Sequence, residues 1–347
     1  MTSTLPDSLL PERAPRAPRR GSTTGLVVLL GLTVLLGLVS LAIGSRTIPL
    51  GTVLDVLLHD DGSEAATIIH DLRVPRTVLA LTVGLSLGIA GALMQGHTRN
   101  PLAEPGLLGV EAGAAFAVVL AIYTLGIEDL GGYAWFAMLG AGIASAVVFA
   151  IGSTRGGPDP ISLILAGAAV TALLAALTQA VVIRSTDVLD AYRFWVVGST
   201  AGRQLDVFWQ VLPFVLAGLL VAAVSTPGLN LLQLGDDVAR SLGLNPVLHK
   251  VLGITAVMLL TGAATAACGP VGFVGLVVPH MARFFGGVDY RWVVPYSALF
   301  GALLVLGADI IGRLVVRPGE LQVGIVMALV GGPVFILLAR RTRLVKL

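Results

Sequence analysis

LNLLQLGDDVARSLGLNP, residues 229–246, is a polar island between two long apolar runs. As a helix it places Leu231, Leu234, Val238 and Leu242 at spacings of three, four and four, on one face. Asp236 and Arg240 stand one turn apart on the other face, acid first, the favourable order for a helical ion pair. Asp236 and Asp237 occupy the opening turn, where the helix dipole favours negative charge. Gly243 followed by Asn245-Pro246 is a stop signal. A short amphipathic helix between two membrane-length runs either lies on the bilayer surface or is gripped by another protein. Either way the chain is a membrane protein.

Composition agrees. A mean hydropathy of +0.92 with 12% charged residues excludes an ordinary soluble domain. Apolar runs of about twenty residues, enough to cross a ~30 Å hydrocarbon core, recur along the chain. The 43 glycines suit close packing of membrane helices. A net charge of +2 gives no sign of a nucleic-acid partner. The single Cys268 can form neither an internal disulfide nor a thiolate metal site. The first apolar run is span-length, so no cleaved leader is expected.

Residues 1–23 (PERAPRAPRRGS at 11–22) lack apolar periodicity and read as a disordered basic cytoplasmic tail. Its four arginines favour an N-terminus inside. Spans are expected near 26–43, 78–95, 107–125, 135–152, 163–183, 207–224, 251–267, a shorter one ending near 278, 293–310 and 323–338. A short helix is expected around 53–58, and a partly inserted one within 184–206, where FWVVG is too short to cross. The expected fold is all-α, a polytopic membrane protein of about ten helices in one permease domain, 24–347, with 229–246 as a cytoplasmic loop. Both termini are then cytoplasmic, and both are Arg-rich.

About eight of the 22 Lys and Arg fall outside on this topology: Arg46, Arg73, Arg76, Arg184, Arg193, Arg203, Arg313 and Arg317. They run against the positive-inside bias. Pairing with outer acids such as Asp71 and Asp309 accounts for most of them.

Six blocks carry a resemblance. DLRVPRTVLALTVGLSLGIAGALMQGHTRNPLAEPGLLGVEAGAAF at 71–116 is similar to the opening signature of the FecCD-type permeases. LILAG at 163–167, YRFWVVGS at 192–199, LGDDVARSLG at 234–243, GPVGFVGLVVPHMAR at 269–283 and ADIIGRLVVRPGELQVGIVMALVGGPVFILL at 308–338 follow in order. DVARSLG resembles the E-A-A-x-x-x-G coupling motif of ABC importer permeases, with Asp for Glu and Val for the first Ala. The resemblance implies a plasma-membrane subunit of a prokaryotic ATP-binding cassette importer, taking up ferric siderophore, cobalamin or haem. It implies as partners a separate ATPase subunit, a second permease chain (a copy or a sister) and an extracytoplasmic binding protein. ATP and Mg would sit on the ATPase; no cofactor is expected here, and no G-x-x-x-x-G-K-[ST] occurs.

The resemblance also implies site residues. Leu234, Asp236, Asp237, Val238, Ala239, Arg240, Leu242 and Gly243 would form the helix gripped by the ATPase. Arg73, Arg76 and Arg313 would meet acids of the binding protein, where planar guanidinium suits bidentate carboxylate pairing. Asn100, Pro101 and Leu102 would belong to an inner gate, opposite a turn at Pro160 and Ile161 that lacks the family's small polar residues. Glu111 departs from the family pattern. It either faces a cavity as an intramembrane carboxylate or reaches water near the end of its span. His59, His70, His97, His249 and His280 show no ligand spacing and read as surface or loop residues, His280 as structural. A second function class, an ion-coupled secondary transporter with Glu111 and Asp309 carrying protons, needs neither DVARSLG nor outward arginines.

Overall fold

The computed structural model describes residues 21–44, 47–59, 62–127, 130–154, 157–316 and 319–342. Arg46, Arg317 and the tail through residue 20 lie outside the described residues. The chain begins with α1 (Thr23–Ala42) and a short α2 (Leu50–Leu58). A turn α3 (Glu64–Thr67) and a π-helical segment (Ile68–Arg73) run into α4 (Val74–Thr98). After a 3-10 turn (Pro105–Leu108) come α5 (Val110–Leu125), α6 (Leu130–Gly152), α7 (Pro160–Val182) and α8 (Thr186–Trp195). Then follow α9 (Leu205–Leu232), α10 (Asp236–Ser241), α11 (Pro246–Cys268), α12 (Val274–Gly286), α13 (Tyr290–Val315) and α14 (Val323–Thr342). A two-rung antiparallel pairing of Ser153–Thr154 with Gly157–Pro158 joins α6 to α7.

Among the described residues seven helical stretches are long and apolar enough to cross a membrane, and three apolar helices, Val110–Leu125, Val274–Gly286 and Val323–Leu337, are shorter. These ten coincide with the ten expected spans, and α2 and α8 with the two expected short helices. Most ends move by a few residues, and three show a local feature. The second span starts a full π-helical segment earlier, because DLR continues the helix rather than preceding it. The sixth runs on through Pro227 to Leu232; Pro227 has no N–H to give Ala223 O, and the hydroxyls of Thr226 and Ser225 just before it donate to Ala222 O in the preceding turn. The eighth, expected to end near 278, runs from Val274 to Gly286; Gly269 and Phe273 take positive φ (78° and 67°) and hold the preceding residues out of the helix.

Helix α4 is the axis of the bundle. Lipid gives no hydrophobic gain to helix association, so close packing at small residues must supply it. Gly84 and Gly88, one turn apart, lie so near Gly301 and Ser297 of α13 that a methyl on either would overlap a carbonyl oxygen. Gly91 abuts the carbonyl of Gly275 on α12 in the same way. A second close seam joins Gly113 of α5 to Gly140 of α6. By contrast α7 and α9 leave most of their apolar surface uncovered, Leu165, Leu173, Leu216 and Leu220 included.

Candidate functional site

Polar side chains gather at the two ends of the bundle. At one end the chain leaves α9 through Gly235, whose φ of 107° breaks the helix before α10 begins. Leu231 therefore belongs to α9, and the single four-leucine face expected from the sequence is divided. Leu234, Val238 and Leu242 remain together as an apolar surface, 60%, 44% and 58% exposed, while Ala239 is buried beneath. Gly243 (φ 85°) turns the chain, and Asn245 Oδ1 accepts from Leu248 N to cap α11 with Pro246 at its first position.

Asp236 does not pair with Arg240. Its Oδ1 accepts from Arg99 Nη2 at 2.5 Å and its Oδ2 from Lys250 Nζ at 2.6 Å. Arg240 turns instead to Asp237, three residues back, at 2.8 Å. The short helix is thus tied through its first residue to the ends of α4 and α11. Burial alone would raise the Asp236 carboxyl, but the hydrogen bonds from Lys250 and Arg99 outweigh it and hold the group below the ordinary aspartate value. Gln233 Nε2 adds a bond to Gly96 O at 2.7 Å.

The turn after α4 starts with Arg99 in the left-handed region (φ 51°). Asn100 Oδ1 accepts from Leu102 N at 2.9 Å, an Asx turn that leaves Pro101 exposed and Leu102 half-buried. Glu104 accepts from Phe273 N at 2.6 Å; burial lifts its pKa above the ordinary glutamate value, against the pull of that donor. Glu111 opens α5, half-buried, with its carboxylate over Gly106, 3.4–3.5 Å from where a Cβ there would be. On the far side of the α6–α7 hairpin Asp159 caps α7, with Pro160 at its first position and Ile161 exposed.

His97 corrects the surface reading of the histidines. It is buried against Gly253 of α11, where the missing Cβ makes room for the ring, and neither ring nitrogen has a partner among the described residues.

At the opposite end the outer arginines turn inward. Asp309 is fully buried and accepts from Arg76 Nε (2.9 and 3.1 Å), Arg313 Nη2 (2.7 Å) and Thr200 Oγ1 (2.7 Å). Arg313 also donates to Ser40 O, Ile43 O and Ser40 Oγ, and Arg73 donates to Leu41 O at 2.6 Å. Arg76 Nη1 reaches Glu320 at 2.5 Å. Two arginines and one buried carboxylate with its remaining lone pairs filled satisfy the conditions under which a buried ion cluster holds. Arg73 and Arg313 present almost no surface, so the free docking guanidiniums implied at those two positions are not what the structure shows. Pairing with Asp309 claims Arg76 and Arg313.

The sequence pattern of the FecCD transport family matches residues 32–341. The chain belongs to the FecCD transport family. Among its relatives, the ferric enterobactin transport system permease protein FepD of Escherichia coli (strain K12) is 44% identical over 91% of this chain and 94% of its own length. The probable siderophore transport system permease YfiZ of Bacillus subtilis (strain 168) is 43% identical over 81% of this chain and 85% of its own. A solved structure described as an inward-facing metal-chelate type ABC transporter superposes with a TM-score of 0.80 at 29% identity, covering 92% of this chain and all of that one. The protein is a multi-pass membrane permease of this family.

Family wording pointed to α10 and to the arginines, and the structure brings each set to its own end of the bundle. It did not point to Arg99, Lys250, Thr200 or Glu320, whose roles exist only through partners more than a hundred residues away or on another helix. Among the described residues no three His, Cys, Asp or Glu side chains come together as metal ligands.

Proposed function

We propose that this chain is the membrane subunit of an ATP-driven importer of ferric siderophores, with α10 as the element through which a separate ATPase moves it. One observation carries this: an exposed apolar face, Leu234, Val238 and Leu242, stands on a helix tied by Asp236 to both α4 and α11. A surface helix that merely lay on lipid would need no such tether. The siderophore assignment draws on the names of its relatives. In this reading the α10 end faces the cytoplasm, a second permease chain covers the exposed flanks of α7 and α9, and a binding protein delivers cargo at the arginine end. There Arg76 is the contact residue, since an incoming carboxylate can compete with the partly exposed Glu320 for its Nη1. Arg73 and Arg313 support the rim from beneath.

The test is reconstitution in proteoliposomes with its ATPase and binding protein. ATP-dependent accumulation of a radiolabelled ferric siderophore is expected, with hemin and cobalamin supplied in parallel. Uptake driven by a proton gradient without the ATPase refutes the reading, and preference for hemin or cobalamin replaces the cargo.

A further inference from the structure

At the arginine end two cavities of about 490 and 500 Å³ share Arg76, Ala201, Gly202, Arg203 and Glu320 in their walls. Arg203 is 6% exposed, and among the described residues its guanidinium makes no hydrogen bond or ion pair. Two carboxylates, Asp71 and Glu320, line the second cavity with it, yet neither forms an ion pair with Arg203, and Tyr133 and Cys268 are its other ionisable neighbours. By contrast its neighbours Arg76 and Arg313 both pair with Asp309, and Arg76 also with Glu320. In the first cavity the Trp195 indole is 2% exposed, and its N–H also lacks an acceptor. Burial lowers the Arg203 pKa from the ordinary arginine value. A buried cation with no counter-charge is among the costlier arrangements in a folded chain, and it persists where something outside the chain supplies the charge.

We propose that Arg203, with Trp195 in the wall of the same cavity, receives one oxyanion group of an anionic metal chelate and so selects cargo by charge. The proposal rests on the importer reading above. A cavity of this volume admits a small chelate. A partner's acid would meet the Arg76–Glu320 pair first, because Glu320 is the more exposed of these groups. Guanidinium and indole N–H groups are donors only, so an acceptor-rich ligand such as a carboxylate or hydroxamate oxygen is what the pair can bind.

The experiment uses the full-length permease in lipid nanodiscs with gallium(III) citrate, a redox-silent stand-in for an anionic ferric chelate, in equilibrium dialysis. Saturable binding is expected, with a change in Trp195 emission that W195F abolishes. R203Q weakens binding roughly tenfold to a hundredfold, the loss of one charge-assisted hydrogen bond, and R203K keeps most of it. Without ligand, R203Q melts higher than the wild-type chain, because an unpaired buried charge is gone. A cationic gallium trihydroxamate binds R203Q at least as well as wild type.

Unchanged gallium citrate affinity in R203Q overturns the proposal while ATP-driven uptake keeps the importer reading. Equal affinity for metal-free citrate keeps the anion site and removes the chelate cargo. Loss of cargo-free binding-protein capture in R203Q makes Arg203 a docking residue and refutes the assignment. Glu128 and Asp129 precede Tyr133 in sequence; if R203Q is destabilising and E128Q/D129N erases that effect, the counter-charge is internal and the proposal falls.

Discussion

Removing the carboxylate of Asp236 takes away the acceptor shared by the two tethers of α10. The Lys250 arm is 2.6 Å long between side chains 12% and 27% exposed, so it is a shielded, charge-assisted bond worth about 1.5–3 kcal/mol. The Arg99 arm is as short, but Arg99 is 42% exposed and solvent screens it to about 0.2–1 kcal/mol. Because both arms end on one carboxylate, their sum is an upper bound, and D236A should cost about 2–4 kcal/mol of attachment. That shifts the docked population of α10 by a factor of roughly thirty to several hundred. Hydrogen exchange across residues 236–244 reads this in nanodiscs, and transport per ATP hydrolysed reads its consequence in the reconstituted complex. A double-mutant cycle of D236A with K250M should give a larger coupling energy than one with R99M.

Acid should act in the same direction. The folded Asp236 carboxyl lies below its unfolded value, so its contribution is complete above the ordinary aspartate range, about 3.9, and is lost as pH falls through the depressed folded value. Attachment should therefore be flat from pH 5 to 8 and fail only below about pH 4. Unchanged exchange in D236A, or an Arg99 coupling equal to that of Lys250, refutes the reasoning.

The double variant L234D/V238D should abolish capture of the ATPase subunit in a pull-down while leaving the thermal melt within about 0.5 kcal/mol of wild type, since both side chains are exposed. D309N should destabilise by about 3–5 kcal/mol, because it strips Arg76 and Arg313 of their buried counter-charge; loss below 1 kcal/mol would show that Glu320 and the Ser40 hydroxyl suffice. G91A should cost about 1–3 kcal/mol in the same melt, as the added methyl meets the Gly275 carbonyl, whereas G31A, with open space around it, should be neutral. E111S should alter preference between cationic and anionic chelates without affecting expression if Glu111 faces the cargo path, and should leave all uptake unchanged if it reaches water.

The spans were legible because a bilayer demands about twenty apolar residues of each, a constraint written in every window of sequence. Their ends were less so. Nothing local marks that α9 passes Pro227, since a proline at that point reads equally well as the end of a helix. Spacing allowed Arg240 to pair at three or four residues' distance, and the choice was made by Lys250 and Arg99, which claim Asp236 first. His97 reads as a turn residue until Gly253, over 150 positions later, supplies a gap for its ring. The outer arginines were found by wording, but their burial depends on Asp309 lying one turn before Arg313 and facing Arg76 across the bundle.

Two groups of helices emerge from the close contacts. Gly84, Gly88 and Gly91 bring the α4 backbone against α13 and α12, and Gly113 with Gly140 does the same for α5 and α6. Within each group a slide of even one residue would drive backbone into backbone, so each moves as a body. Helix α11 belongs to neither group and meets α6 and α9 through side chains: Gly262 lies beside Ala141, and Gly218 of α9 faces Leu259 and Leu260. Helix α4 spans ~37 Å from the arginine rim to Arg99, long enough to act as a strut between both ends. Helix α11 packs on that strut at Gly253 and His97, where the ring makes no hydrogen bond that sliding would break. Shear between packed helices needs a surface of this kind. Asp236 joins Arg99 of the strut to Lys250 of α11, so a force applied to α10 is delivered across a border where His97 and Gly253 meet through a side chain.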